Sequence, residues 1–164
     1  MKKRPILTVA ALALLVLFAL AACRGGAGEQ QGGYRLYFPV TRDTSYGAAL
    51  DTQPWEGEGT PTPEQLVQGL LAGPTREGLR APFPGAVSVL SLEVEAGTAR
   101  LSLSEQYGGL TDMGKTLADA CIVLTLCQLE GVEQVEISAE GFWTDTPVRR
   151  TLSPAQLELE ALLP

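Results

Sequence analysis

Residues 115–129 read KTLADACIVLTLCQL, the most apolar stretch beyond the first two dozen residues. Leu117, Ala120, Cys121, Leu124 and Gln128 recur at helical spacing, and Ala118, Ile122, Val123, Leu126, Cys127 and Leu129 widen the stripe on its flanks. Lys115, Asp119 and Gln128 are its few polar positions. Gly131 follows the last periodic residue, where a left-handed cap costs glycine little. A helix apolar over so much of its surface needs a sheet to cover it. The neighbouring segments are read as the source of that sheet.

On the C-terminal side, Val135, Ile137 and Ala139 share one face of a strand spanning 132–139. On the N-terminal side, Leu90, Leu92 and Val94 alternate with Ser91, Glu93 and Glu95. After Ala96-Gly97, Ala99, Leu101 and Leu103 alternate with Thr98, Arg100 and Ser102. Period two around a short glycine turn predicts a hairpin with one buried face, and places Glu93 opposite Arg100 on the solvent side. Further back, Thr62, Pro63 and Gln65 form a capping box ahead of the stripe Leu66, Val67, Leu70 and Leu71, and Gly73-Pro74 stops that helix. Residues 34–40, YRLYFPV, read as the first strand, with Pro39 ending it or marking an edge. Residues 41–60 are polar and rich in turn formers, with a short strand near 48–53. The expected fold is α+β, in the order β-α-β-β-α-β, with a mostly antiparallel sheet and two helices packed on one face. The domain spans 34–152, and residues 153–164 form a short helical tail docked by Leu157 and Leu162.

The first 22 residues open with Lys2-Lys3-Arg4 and continue as an apolar run closed by small residues. This is the pattern of an export signal, a little short for a membrane span. It ends in Leu20-Ala21-Ala22-Cys23, which resembles the bacterial lipobox, whose cysteine receives a diacylglyceryl group and becomes the new N-terminus. Residues 24–33, RGGAGEQQGG, then read as a flexible tether with a reach of roughly 15–20 Å. The domain is expected on the extracytoplasmic face of the cell membrane, anchored through Cys23.

Composition narrows the chemistry. The 164 residues carry a formal charge of −7, and losing Lys2, Lys3 and Arg4 with the leader takes it to −10. An acidic surface repels phosphate backbones, so nucleic acid is not an expected partner. The chain has no histidine, which removes the commonest general base and metal ligand. Cys121 and Cys127 stand about 9 Å and 240° apart on the expected helix, unsuited to a disulfide, and read as small buried side chains.

Gly109-Leu110-Thr111-Asp112-Met113-Gly114-Lys115-Thr116 fits the phosphate-loop pattern. It is judged a chance match. An exported chain meets little nucleoside triphosphate, no later strand ends in an aspartate for magnesium, and the preceding strand belongs to a hairpin rather than a buried parallel sheet. No role in nucleotide binding is therefore assigned to Gly109, Gly114, Lys115 or Thr116. Asp51, Glu56, Glu58 and Asp145 are carboxylates whose spacing requires no acid–base pairing. Neither a metal cluster nor a cofactor motif is apparent. Tyr46, Trp55, Phe142 and Trp143 are candidate contacts for a partner or a glycan.

Several segments together resemble one family. They are Tyr37-Phe38-Pro39, Gly69-Leu70-Leu71-Ala72-Gly73-Pro74-Thr75, Val87-Ser88-Val89-Leu90-Ser91-Leu92, Gly97-Thr98-Ala99-Arg100-Leu101-Ser102-Leu103-Ser104, Leu124-Thr125-Leu126 and Gly131-Val132-Glu133-Gln134-Val135. Over roughly 34–140 the chain is similar to the GerMN domain of sporulation and spore germination lipoproteins. It departs from the pattern in the irregular segment after the first strand, where the family usually has another strand. The resemblance implies a lipoprotein facing the cell wall that assembles with envelope proteins or with itself. It supplies no catalytic residues, and no enzyme activity is expected. Peptidoglycan binding, or a carboxylate-dependent wall hydrolase, is the alternative.

Overall fold

Arg35–Pro39 (β1) and Leu50–Pro54 (β2) pair antiparallel, Leu36 opposite Gln53 and Phe38 opposite Asp51, and form a separate two-stranded sheet. The computed structural model describes residues 33–41, 48–110, 112–140, 148–157 and 163. Cys23, Tyr46, Thr111, Phe142, Trp143, Asp145 and Leu162, with the leader and the tether up to residue 32, lie outside the described residues.

Pro63–Ala72 (α1) follows. Its capping box closes as the sequence predicts: Gln65 N–H donates to Thr62 Oγ1 at 3.3 Å, and Thr62 N–H to Gln65 Oε1 at 2.9 Å. Val89–Glu95 (β3) and Thr98–Leu103 (β4) form the expected hairpin. Its turn holds Ala96 at φ 48° and Gly97 at φ 79°, the double left-handed geometry of a primed turn. After Glu105–Gly108 (α2) and Asp112–Leu126 (α3), the chain continues into Gln134–Ala139 (β5) and Val148–Leu152 (β6), then a 3-10 turn at Pro154–Gln156. The second sheet has the order β3-β4-β5-β6. Its β4–β5 pair is parallel and its other two pairs antiparallel.

The α+β class and the mostly antiparallel pairing match the expectation. The single sheet does not. The outer edge of β1 is closed by α3 rather than by another strand. Arg35 N–H donates to Gln128 Oε1 at 3.0 Å, and Gln128 Nε2 donates to the Arg35 carbonyl at 2.7 Å. Tyr37 N–H donates to Thr125 Oγ1 at 3.2 Å. Pro39 has no N–H, and its carbonyl accepts from Arg80 N–H at 2.9 Å. Edge groups satisfied in this way offer little to a further strand.

This arrangement explains the width of the apolar stripe. Ala118, Ile122, Val123 and Leu126 face a core with Leu101 and Leu103 of β4, Val135 and Ile137 of β5, and Leu66 and Leu70 of α1. Leu117, Ala120, Cys121 and Leu124 pack on Leu50 of β2, beside Tyr37 and Ala49. One helix thus serves two sheets. Each leucine so buried contributes about 1.5–3 kcal/mol. The helix starts at Asp112, before the quoted stretch, and ends at Leu126, with Gly131 in the left-handed region at φ 79°.

Two details of the hairpin and tail differ from expectation, and a third, the facing of Glu93 and Arg100, holds with a different ion-pair partner. β3 is an edge strand, so Leu90 and Val94 stay exposed, and a bulge between Val89 and Ser91 breaks the alternation. Arg100 is opposite Glu93 in register, but its ion pair is with Glu95, at 2.6 Å. β6 stands where no strand was expected, because its arginines hide the alternation.

Candidate functional site

Asp119 is 2% exposed, on the helix face beside Lys115. A carboxylate so placed needs partners, since an unmatched buried charge is very costly. Tyr107 Oη, from α2, donates to Asp119 Oδ1. Arg150 Nη1, from β6, donates to Asp119 Oδ2 at 2.8 Å. Lys115 Nζ lies 5.1 Å from the centre of the Tyr107 ring, a cation–π distance. Burial, then the neighbouring Asp119 charge and hydrogen bond, push the Tyr107 hydroxyl far above its ordinary pKa, so it remains a donor at neutral pH. The space among Tyr107, Lys115, Asp119, Ser138 and Arg150 admits no water-sized sphere. The cluster therefore locks α2, α3 and β6 together and leaves no room for a substrate.

The phosphate-loop lookalike overlaps this lock. Gly114, Lys115 and Thr116 lie within α3, while Gly109 caps the short helix α2. The segment after β4 is thus a helical turn rather than an open loop, and the Lys115 ammonium is over the Tyr107 ring. Cys121 is buried, and burial raises its thiol pKa well above the usual range. The half-buried Cys127 thiol is pushed up to about 11, also by burial. Both are weak nucleophiles near neutral pH. Asp51 is taken up by structure, with Arg76 Nη2 at 2.9 Å from Oδ2 and Thr52 N–H at 2.7 Å from Oδ1.

An open space lies elsewhere, between α1 and the loop after β2. This groove has a volume of about 490 Å³, within the range of ligand-binding clefts. Leu36, Gly69 and Ala72 contribute apolar surface to it, as does Trp55, and Glu56, Glu64, Gln65 and Gln68 bring polar groups. Trp55 is held from two sides. Tyr34 meets it edge-on, with centroids 6.5 Å apart and planes at 88°. Gly57 lies so close to the six-membered ring that an added Cβ would fall 2.0 Å from Cη2 and Cζ2. The polypeptide folds over its own indole because residue 57 lacks a side chain.

Of the four aromatic contacts proposed from sequence, Trp55 alone lies among the described residues, and it lines the groove while also packing on the core. Glu56, one of the carboxylates noted from sequence, stands beside it. Sequence reasoning missed the Asp119 lock, although a carboxylate inside an otherwise apolar stripe was its signal. It also missed Arg150, which has no local signature.

Residues 35–144 match the family Germane, described as sporulation and spore germination. The fold is similar to that of the first GerMN domain of the sporulation protein GerM from Bacillus subtilis. The TM-score is 0.56 at 20% identity, over 74% of this chain and 97% of that one. The tandem GerMN domains of GerM from Bacillus subtilis align with a TM-score of 0.54 at 21% identity, over 73% of this chain and 45% of that one. No curated protein matches the sequence.

Proposed function

We propose that this chain, which belongs to the Germane family of sporulation and spore germination domains, is a non-catalytic binding and assembly module of the cell envelope, held by a lipid on Cys23 at the extracytoplasmic face of the membrane. One observation carries the reading. The family domain begins at residue 35, directly behind a basic start, an apolar run, Leu20-Ala21-Ala22-Cys23 and a glycine-rich tether. An anchor and a flexible spacer suit a domain that must meet partners near a membrane surface. The closed cluster at Asp119 and the raised thiol pKa values support a binding role over a catalytic one.

The experiment is metabolic labelling with palmitate, followed by fractionation and crosslinking in cells. The expected result is label on the wild-type chain and none on Cys23→Ala, with the wild type in the membrane fraction and crosslinked to a specific envelope protein. Label that survives Cys23→Ala would remove the anchor. Crosslinking that captures no specific partner would remove the assembly role.

A further inference from the structure

We propose that the groove between α1 and the loop after β2 binds an extended, lysine- or arginine-bearing peptide segment of a partner protein, with Glu56 and Glu64 as partners of the cationic side chain and Trp55 as an apolar wall for its stem. The proposal deepens the assembly reading above and rests on it for the identity of the partner as a protein.

Shape and rigidity come first. The indole is held by Tyr34 and by the backbone at Gly57 before any ligand arrives, so little ordering is left for binding to supply. Apolar surface from Leu36, Gly69 and Ala72 suits the aliphatic stem of a long side chain. Gly69 lets α1 pack closely on Leu36 at the groove floor, since an added Cβ would fall 2.8 Å from Leu36 Cδ1.

Charge then selects the ligand. Glu56 and Glu64 both line the groove, and among the described residues no lysine or arginine does. Glu64 and Gln68 are one turn apart on α1, so they share a face. An anionic ligand would meet two carboxylates and, among the described residues, no compensating cation. A neutral sugar would have to desolvate those carboxylates without gaining a charge pair. A cation gains from the carboxylates. Gln65 Oε1 is committed to the helix cap, and the Gln68 carboxamide is a further polar group of the lining.

The test uses the full chain in neutral detergent, isotope-labelled, with the Trp55 indole N–H resonance followed by NMR and assigned by its loss in Trp55→Phe. Three probes are titrated: a capped hexapeptide alternating lysine and alanine, its glutamate–alanine counterpart, and chitotetraose. The lysine peptide is expected to shift the Trp55 resonance saturably, less so as salt rises. Glu56→Gln with Glu64→Gln is expected to weaken that binding about three- to tenfold, as the loss of two exposed charge contacts implies. The proposal is overturned if the glutamate peptide binds equally well, if chitotetraose binds and the lysine peptide does not, or if no probe moves the resonance. Those results would leave Cys23 lipidation standing, so the groove and the anchor fail separately.

Discussion

The Asp119 lock and the Trp55 groove both combine carboxylates with an aromatic ring, yet their chemistry runs in opposite directions. At Asp119 the acid is drawn inside, and Tyr107 and Arg150 meet both of its oxygens. At Glu56 and Glu64 the acids are exposed, and they line an open cleft beside a fixed indole. A buried charge supports the fold only when its partners come from the same chain, whereas an exposed one keeps its capacity for an outside partner. Reactive residue types therefore do not by themselves mark a site; the space left around them is what separates these two clusters.

The sharpest way to break the contrast is Asp119→Ala. It strands the Tyr107 hydroxyl and leaves Arg150 unpaired. Because Arg150 is about half exposed, the expected loss of stability is about 3 kcal/mol, at the lower end for a broken buried pair. Urea denaturation measures it. A loss under about 1 kcal/mol would mean that the cluster is not a lock.

Tyr107→Phe comes next, with an expected loss of about 1–2 kcal/mol at neutral pH for one hydrogen bond to a charged acceptor. It also carries a pH signature. The folded-state pKa of Tyr107 is raised, so its contribution is complete below the unfolded value near 10. Above that pH the unfolded chain releases the proton while the folded chain keeps it, so stability falls with rising pH, by about 1.4 kcal/mol per unit for one group. Comparing stability between pH 9 and 11 should show a shallower decline in the phenylalanine variant.

On the groove side, Thr62→Ala removes the oxygen that caps α1 and should cost about 1 kcal/mol. The smallest effect is expected from Glu56→Gln with Glu64→Gln. Stability should stay within about 0.5 kcal/mol of wild type while peptide binding weakens. A larger destabilisation would make these acids structural, like Asp119.

The fold was legible where local chemistry and burial agree. Val135, Ile137 and Ala139 are buried as their alternation requires, and Thr62 with Gln65 caps α1 as the motif demands. Leu90 and Val94 alternate just as well, yet remain exposed, because alternation says which side chains share a face and not whether that face is covered. Residue type alone marks Trp55 as a candidate contact, but its groove depends on α1 and Gly57 as much as on the tryptophan.

Hydrophobic period, caps and the basic-apolar leader are short-range patterns, so the chain order alone carries the helices, the hairpin and the expected anchor. The division into two sheets is different. It depends on Thr125 and Gln128 reaching β1 across 88 and 93 residues of chain, and on Arg150 meeting Asp119 across 31. Such bonds form only after folding brings backbone and side-chain groups from distant parts of the chain next to one another.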